Sequence, residues 1–550
     1  MKASAKKIAS IVAMSGFGFL TLAGCGASTA QSAAAAPLSV VDAPQGSWSE
    51  NFNPFSPNAL FGTVGYIYEP LMQFIMISGK ALPWLAQSYQ WSDKDSVLTV
   101  HLAPHVKWSN GNAFTSQDVL YTFNLLKKFP ALDTNDVWQT LKSVTAPNPT
   151  TVVFTLDSSD RSAFYYLMSV TPVDPAVWQS VKNPVTFTNA HPVATGPYTL
   201  KSFGAQDYVM TRNMHYWKGT PTVSELSFPA YTSNSSVDLA LSKGDVGWAG
   251  LFSPDIQSTF VAKDPAVNHY WFAQAAPVML FTNDAQYPFN SAVVRRALSY
   301  AINRQAVSSN GEYGYEKPAS ALGIPPGESR YIDAQAEAQS PSQYDPQKAL
   351  RLLESAGFHK DAAGTMMMPN GKPFAFSLLV VAAYSDWVQD VTIISQELKQ
   401  LGITVNVKAL QYAAYYSDLQ SGKFSTAIGW SFSGPSPFYF YNYAMNAGLS
   451  APIGQTAATN FQRFTSPTAT RLLDAYNASS SAAQRKTLLD QIQIYWAHEL
   501  PSIPLVWGAY WNEYSTKTYT GWPTAKNPYD DPGPNDASSE LTILNLKPVH

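Results

Sequence analysis

Strand-like and helix-like patterns alternate between residues 374 and 430, and this alternation limits the possible folds more than any other feature. Apolar residues recur at every second position in the predicted strands and at every third or fourth position in the predicted helices. This order is typical of a parallel sheet with crossover helices, so we predict an α/β fold with a mainly parallel sheet. The predicted elements are a strand through Phe376–Val381, a helix ending at Gly402, a strand through Ile403–Val407, a helix near Tyr412–Gln420 and a strand through Trp430.

The rest of the chain shows the same mixture of strands and helices. Thr115 and Asp118 have the spacing of a capping box ahead of an apolar helical face. Arg295 and Arg296 lie on a predicted helix and are interpreted as surface or interdomain residues, or as part of a solvated helix face. A stretch rich in Pro, Asn and Asp, residues 522–536, is predicted to be a surface loop. Further predicted elements are strands at 98–102 and 151–156, a strand region from 198 to about 231, and helices at 236–243, 290–302 and 345–356.

The only cysteine, Cys25, follows an apolar run from Ile8 to Leu20 that is too short to cross a bilayer as a helix. Three lysines precede this run, as in a secretory signal. The sequence Leu22-Ala23-Gly24-Cys25 resembles the lipobox of bacterial lipoproteins, in which the cysteine thiol carries a diacylglyceryl group.

We therefore expect residues 1–24 to be a signal peptide and residues 25–37 to be a lipidated Cys25 with a flexible tether of small residues. The protein is then extracytoplasmic, on the cell surface or in the periplasm, and anchored to the membrane through lipid. The alternative is an ordinary signal peptide that contains a cysteine.

Charged residues are few, and the net charge is small. They make up 13% of the chain, and the formal net charge is −3, which becomes −6 without the three N-terminal lysines. A nucleic-acid partner would need a clustered cationic face, and no such cluster follows Lys7. The low charged fraction suggests the hypothesis of an acidic extracellular habitat.

The sequence offers no positive reason to predict an enzyme. His101 and His105 are separated by Pro104 and do not share a helical face, so neither a metal nor another cofactor is predicted. Phosphate-binding glycine motifs are absent from the sequence. The segment Gly429–Ser433 differs from a nucleophile elbow because serine replaces its second glycine. An exported hydrolase remains a remote alternative.

A series of short motifs extends over nearly all of the chain that follows the signal peptide. The motifs are Asn53-Pro54-Phe55, Tyr68-Glu69-Pro70-Leu71, Leu82-Pro83-Trp84-Leu85-Ala86, Val106-Lys107-Trp108-Ser109-Asn110-Gly111, Thr195-Gly196-Pro197-Tyr198, Val294-Arg295-Arg296-Ala297-Leu298, Tyr344-Asp345-Pro346, Leu401-Gly402-Ile403 and Ile503-Pro504-Leu505. Taken together and in this order, they resemble the family 5 extracellular solute-binding proteins, the peptide-binding components of bacterial ABC importers.

The resemblance implies a periplasmic-binding-protein type II fold, in which two α/β lobes close on a ligand like a Venus flytrap. Lobe I would comprise residues 38–68, 191–280 and 506–550, with residues 69–190 inserted as an extra domain, and lobe II residues 281–505. The implied partners are the transmembrane permease subunits of an ABC importer with its cytoplasmic ATPase. A monomer is expected.

The resemblance also implies a ligand and a site. An oligopeptide is expected first, but relatives hold the peptide ammonium with a carboxylate after a Gly-Trp pair, and here Ser433 stands in that place. The alternative ligand is an oligosaccharide, suggested by the aromatic residues between 430 and 443, some of which are expected to pack in the core. The candidate ligand-binding residues are Gly429, Trp430, Ser431, Phe432 and Ser433, with Phe61 and Gly62 from lobe I.

Overall fold

The computed structural model describes residues 36–549. The predicted signal peptide, Cys25 and most of the tether lie outside these residues. The strands are β1 (Leu38–Val41), β2 (Met72–Ile75), β3 (Lys80–Pro83), β4 (Ala86–Ser92), β5 (Val97–Leu102), β6 (Leu141–Asn148), β7 (Thr151–Leu156), β8 (Tyr198–Phe203), β9 (Asp207–Arg212), β10 (Glu225–Pro229), β11 (Trp248–Ala249), β12 (Asn268–Tyr270), β13 (Ala273–Thr282), β14 (His359–Lys360), β15 (Met366–Met367), β16 (Ala375–Val381), β17 (Thr404–Leu410), β18 (Thr426–Trp430), β19 (Ser502–Tyr510), β20 (Glu513–Ser515), β21 (Tyr519–Thr520) and β22 (Lys547–Pro548). The α-helices are α1 (Ser116–Lys128), α2 (Ala163–Met168), α3 (Pro175–Trp178), α4 (Asn234–Lys243), α5 (Ile256–Thr259), α6 (Ala292–Ala301), α7 (Arg304–Ala306), α8 (Ala334–Gln339), α9 (Pro346–Ser355), α10 (Ser385–Gln400), α11 (Tyr412–Ser421), α12 (Pro437–Met445), α13 (Pro467–Ala478), α14 (Ala482–Glu499) and α15 (Ser539–Asn545).

A five-stranded sheet in the order β17-β16-β18-β13-β19 contains the alternating region. Strand β16 pairs in parallel with both β17 and β18, with α10 and α11 as the crossover helices, so this part of the prediction is confirmed. The prediction of a mainly parallel sheet needs correction, because β13 pairs antiparallel with both β18 and β19. Strands β13 and β19 come from distant parts of the sequence, and no local pattern reveals such a pairing.

A seven-stranded sheet has the order β12-β20-β11-β1-β10-β9-β8, and a four-stranded sheet has the order β4-β5-β7-β6. Helix α1 packs on the four-stranded sheet and begins with the predicted capping box. Asp118 accepts a hydrogen bond from the Thr115 backbone at 2.7 Å, and the Thr115 hydroxyl accepts one from the N–H of Gln117 at 3.3 Å. The four-stranded sheet is wholly antiparallel, and the molecule as a whole combines its sheets with helices, which confirms the α/β fold class.

The buried apolar residues form separate cores. One core lies around the five-stranded sheet, between Val278 and Val506. A second lies under the seven-stranded and four-stranded sheets, and a small third core packs around α4. Strands β13 and β19 pair from Ala273 with Tyr510 to Phe281 with Ser502, so they form the ribbon through which the chain enters and leaves the five-stranded sheet. The predicted lobe limits at 280 and 506 fall within these strands and stay a prediction.

Two predictions about exposure are wrong. The segment 522–536 is not a surface loop throughout, because Trp522 and residues 530–534 are buried. Arg295 is also buried, with 2% of its surface exposed. Its guanidinium donates to the backbone carbonyls of Phe289, Glu499 and Leu500, and it lies 3.7 Å from Asp284. Arg295 therefore joins α6 to the end of α14 inside the protein.

Candidate functional site

A cavity of about 550 Å³ lies between the ribbon, the β2–β3 hairpin and two loops, residues 323–330 and 433–437. Its size is in the range of small-molecule sites. The lining residues are Met76 to Gly79, Trp271 to Pro277, Gly323, Pro325, Gly327, Glu328, Arg330, Ser433 to Pro437, Phe440, Trp507 and Tyr510.

The cavity is bounded on one side by the turn at Met76–Gly79 and on the other by the loop 433–437. A methyl group placed on Gly79 would lie 3.7 Å from the carbonyl oxygen of Pro435, so the two segments approach closely. Beside them, the Tyr439 hydroxyl donates to the Ser162 carbonyl at 2.9 Å, and the Asn442 amide donates to the Tyr166 hydroxyl at 2.8 Å. These hydrogen bonds join α12 to α2 and to Ser162, the residue that precedes α2.

The ribbon contributes residues of both its strands to the cavity lining. Its pairing stops at Gln274 with Ala509 and resumes at Pro277 with Trp507, so Ala275 and Ala276 form a bulge in β13 that lines the cavity. A bulge leaves extra residues outside the ladder and re-aims the backbone. Gly508 faces it, and a Cβ there would lie 2.6 Å from the Ala276 carbonyl oxygen. The ribbon therefore needs glycine at this position.

Glu328 and Arg330 supply the carboxylate and the guanidinium of the lining. Burial raises the pKa of Glu328, and the nearby Arg330 lowers it. The two residues lie in one short segment, so the positive charge of Arg330 partly offsets the negative charge of Glu328. The remaining lining residues are mainly small (Gly, Ala, Pro and Ser), together with five aromatic residues.

The structure places the predicted site residues of lobe II in different surroundings. Ser433 lines the cavity. The Trp430 side chain is 46% exposed at the end of β18, and its ring centroid lies 4.4 Å from that of Trp387. The Ser431 hydroxyl donates to the Pro277 carbonyl at 2.6 Å, so it bonds to the residue of β13 that follows the bulge.

Gly429 and Phe432 lie beneath this surface. A Cβ on Gly429 would lie 2.7 Å from the Tyr415 hydroxyl, which explains why the buried strand carries glycine there. Phe432 packs against Tyr443 and Phe461, with ring centroids 5.2 and 5.9 Å apart. Neither residue is part of the cavity lining, and Trp430 and Ser431 are not part of it either.

Phe61 and Gly62 lie in the second core. The Phe61 ring packs edge-on against Trp48, and its carbonyl accepts a hydrogen bond from the Tyr208 hydroxyl at 2.9 Å. Gly62 has a positive φ of 72°, and its carbonyl accepts a bond from the N–H of Ile67 at 3.1 Å. The structure does not bring either residue to the cavity, and their ligand contact stays a prediction.

Comparison with known families decides the class of the protein. The profile of the bacterial extracellular solute-binding proteins, family 5 (middle region), matches residues 80–450, about two thirds of the chain. The chain belongs to this family. Members of the family bind solutes for transport and are extracellular.

Individual relatives resemble this solute-binding protein over most of its length. The nickel-binding periplasmic protein of Escherichia coli is 28% identical over 408 residues, which cover 71% of this chain and 75% of the relative. A putative ABC transporter peptide-binding protein of Brucella ovis is 27% identical over 496 residues, with 86% of each chain covered.

Among solved structures, the periplasmic oligopeptide-binding protein of Thermotoga maritima with bound mannohexaose superimposes with a TM-score of 0.87 at 26% identity. The match covers 94% of this chain and 99% of the other. This likeness confirms the periplasmic-binding-protein type II fold for the solute-binding protein.

The solute-binding protein also contains a cluster of four buried acids that the sequence analysis missed. Glu312, Glu316, Asp386 and Asp390 are each at most 7% exposed. Burial raises the pKa of Asp386 to about 7, and burial together with the neighbouring acids raises the pKa values of Glu312 and Glu316 well above their ordinary values. The pKa of Asp390 is also well above its ordinary value, again through burial.

The acid cluster is bonded to the ribbon and lies next to a residue that is bonded to α4. Glu316 accepts a hydrogen bond from the Ala509 N–H in the ribbon at 2.9 Å. Next to Asp386, Ser385 accepts a bond from the Asn234 amide of α4 at 3.3 Å. Within residues 36–549, no group of three or more His, Cys, Asp or Glu residues is arranged to hold a metal ion. In the same residues, no helix combines the length and apolarity that crossing a bilayer requires.

Proposed function

We propose that this protein captures an extended oligomer, in the first place an oligopeptide, in the cavity at the ribbon and delivers it to the permease of an ABC importer. The family supports a role in solute binding for transport. The Brucella ovis relative is a putative ABC transporter peptide-binding protein, which supports both the transporter type and the ligand class.

The observation that carries the proposal is the bulged backbone of Ala275 and Ala276 on the cavity wall. An extended peptide binds best to a partner that offers main-chain donors and acceptors, because its own main chain can then pair like an added strand. Main-chain pairing tolerates different side chains, as a carrier of mixed peptides requires.

Glu328 is the carboxylate that we assign to the peptide ammonium. Ser433 lines the cavity but cannot balance a positive charge. An ammonium enclosed without a counter-ion is costly, so an acid elsewhere in the lining must replace the one expected near Ser433. Glu328 is the carboxylate in the lining that can meet this need; burial raises its pKa, and Arg330 offsets part of that rise.

Capture requires that the cleft opens and closes. We assign residues 38–68, 191–280 and 506–550 to lobe I, residues 69–190 to the inserted domain and residues 281–505 to lobe II. A ligand shifts such an equilibrium only by its differential affinity for the two states. The hydrogen bonds of Tyr439 and Asn442 across the cleft favour closure and belong to the closed state.

The N-terminal sequence supports extracytoplasmic anchoring. In this proposal residues 1–24 direct export, and Cys25 carries the lipid that holds the protein near its permease. The protein acts as a monomer and releases its ligand chemically unchanged, so it is not an enzyme.

An oligosaccharide is the second candidate ligand, and the aromatic wall favours it. Trp271, Phe272, Phe440, Trp507 and Tyr510 all line the cavity. Flat rings can stack against the apolar faces of sugars, and the Thermotoga maritima relative holds mannohexaose.

Thermal unfolding of residues 36–550 with tri-alanine, mixed-sequence peptides and mannohexaose tests the proposal. A ligand present at a hundred times its dissociation constant stabilises the folded protein by about 2.7 kcal/mol. We expect stabilisation by free peptides and loss of this effect when the peptides are N-acetylated or when Glu328→Gln is introduced. Glu337→Gln, an exposed change on α8 outside the lining, is the matched control.

The outcomes separate the candidates. Stabilisation by mannohexaose alone, unchanged by Glu328→Gln, identifies a sugar carrier. Stabilisation by none of these probes contradicts capture of oligomers. Mass spectrometry of the recovered probe tests the absence of catalysis, because cleavage products would identify a hydrolase.

A further inference from the structure

The C-terminal segment 530–540 is largely buried, and it packs against the β2–β3 hairpin and the residues just before it. The Tyr66 hydroxyl donates to the Pro534 carbonyl at 2.7 Å, and the Gln73 amide donates to the Glu540 carboxylate at 2.9 Å. Within the segment, the Ser539 hydroxyl donates to the Gly533 carbonyl at 2.7 Å. A region more than 450 residues away in the sequence therefore supports one wall of the cavity.

One residue of this segment reaches the turn of the hairpin itself. The Asp531 carboxylate is 1% exposed, and its two oxygens accept separate backbone hydrogen bonds. Oδ2 accepts the N–H of Met76 at 2.7 Å, and Oδ1 accepts the N–H of Ile77 at 2.9 Å. Met76 and Ile77 begin the turn that lines the cavity and approaches the loop 433–437.

Strand β2 is anchored by the Gln73 bond and by Phe74, whose ring packs edge-on against Tyr165 with centroids 4.8 Å apart. The turn itself has two longer backbone bonds, from the Ser78 N–H to the Ile75 carbonyl and from the Gly79 N–H to the Met76 carbonyl, both at 3.3 Å. Strands β2 and β3 have four residues each and pair only with one another, and a short two-stranded hairpin is at best marginally stable alone. The turn residues Ser78 and Gly79 are exposed. A buried carboxylate that accepts two N–H groups is a strong and directional restraint on such a turn.

We propose that Asp531 is a positioning residue for ligand capture: its carboxylate fixes the Met76–Gly79 turn against the loop 433–437 and so sets the wall on which the ligand closes. This inference rests on the proposed function of the cavity. Asp531 acts through the turn and does not itself line the cavity.

The neighbouring Asp530 provides a matched control. It is 0% exposed and accepts hydrogen bonds from the N–H and hydroxyl of Thr542 at 3.1 and 2.7 Å, not from the hairpin. Asp530→Asn and Asp531→Asn therefore each remove one carboxylate from the same buried segment, but only Asp531→Asn removes an acceptor of the turn N–H groups. Asparagine replaces one of the two accepting oxygens with an NH2 group, which is a donor and cannot accept the turn N–H that faces it.

The two hydrogen bonds from the turn to Asp531 also depend on pH. Burial raises the pKa of Asp531 to about 6, while the bonds from Ile77, Met76 and Ser538 lower it. The groups that face it are acids and phenols: Asp530, Asp536, Tyr165 and Tyr510, with Asp42 beside Asp536. Above a pH of about 6 both oxygens accept; below it the protonated oxygen becomes a donor and one turn bond is lost.

Amide hydrogen exchange of the unliganded protein tests the inference directly. We expect the amides of Met76 and Ile77 to exchange at least about tenfold faster in Asp531→Asn than in the wild type, with no such change in Asp530→Asn. In the wild type, their protection after correction for intrinsic exchange should fall as the pH decreases through about 6, and in Asp531→Asn it should not depend on pH.

Isothermal titration with tri-alanine and with mannohexaose supplies the functional measurement. We expect Asp531→Asn to weaken binding of whichever probe the wild type binds by at least about tenfold, and Asp530→Asn to leave it within about threefold. Equal exchange in the wild type and Asp531→Asn, or equal effects of the two variants, would overturn the inference. If Asp531→Asn does not fold, the pH series of the wild type decides. If the wild type binds neither these two probes nor the mixed-sequence peptides, the proposed function fails, and the exchange measurement still decides the role of Asp531.

Discussion

The four buried acids lead to a prediction about stability and pH, and Asp386 is the best member to change. Its pKa in the folded protein is about 7, against 3.8 for an ordinary aspartate, and burial is the main cause. Below a pH of about 4 the carboxyl is protonated in both the folded and unfolded states, and its full contribution to stability is present. As the pH rises to about 7, the unfolded state ionises first, and stability is lost.

The size of the effect follows from the shift. Each pKa unit corresponds to about 1.4 kcal/mol, so a shift of about three units costs about 4 kcal/mol of folding free energy at pH 8. Asp386→Asn removes this cost but weakens the hydrogen bonds that the carboxylate accepts, a loss of about 1 kcal/mol. We therefore expect the variant to be more stable than the wild type by about 2–3 kcal/mol at pH 8 and less stable by about 1 kcal/mol at pH 4.

Urea unfolding followed by tryptophan fluorescence at pH 4 and pH 8 measures this difference. Glu354→Gln, an exposed change on α9, is the control and should leave stability unchanged within about 0.5 kcal/mol. The reasoning is refuted if the difference between wild type and Asp386→Asn is the same at both pH values. A wild-type stability maximum at neutral pH would also contradict the hypothesis of an acidic habitat.

Two further predictions concern the core and the site. Arg295→Met should lower the free energy of unfolding by about 3–5 kcal/mol, because it leaves buried carbonyls and Asp284 without their partner; Arg296→Met is the control in the same urea experiment, and equal losses would contradict the explanation. Trp271→Ala should weaken binding of tri-alanine or mannohexaose by at least ~2 kcal/mol in isothermal titration, because this ring lines the cavity. Trp430→Ala changes a ring outside the lining and tests the sequence-based assignment, since normal binding by that variant would place the ligand away from Trp430.

Much of the fold could be predicted because its signals are local. The strand–helix alternation from 374 to 430 and the capping box at Thr115 depend on residues close in sequence, and both are found in the structure. The antiparallel pairing of β13 with β18 and β19 could not be predicted, because the partners are more than 140 residues apart. The burial of Arg295 was missed for the same reason, since its acceptors lie at the end of α14.

The cavity was harder to predict than the fold. Its wall combines five distant segments, and only Ser433 among the candidate residues lies in it. Trp507 and Tyr510 lie shortly after the motif Ile503-Pro504-Leu505, and this proximity was the available sign that they line the site. Asp531 gave no signal, because a run of Pro, Asn and Asp is typical of an exposed loop unless its burial is known.

The ribbon has a consequence for how such proteins can diversify. Phe281 and Ser502 are paired, so the intervening segment leaves and rejoins the rest of the molecule at adjacent points. A recombination event would therefore need only two crossovers, side by side in space, to exchange this half for that of a relative. Chimaeras joined at these two positions would show which half dictates the choice of cargo.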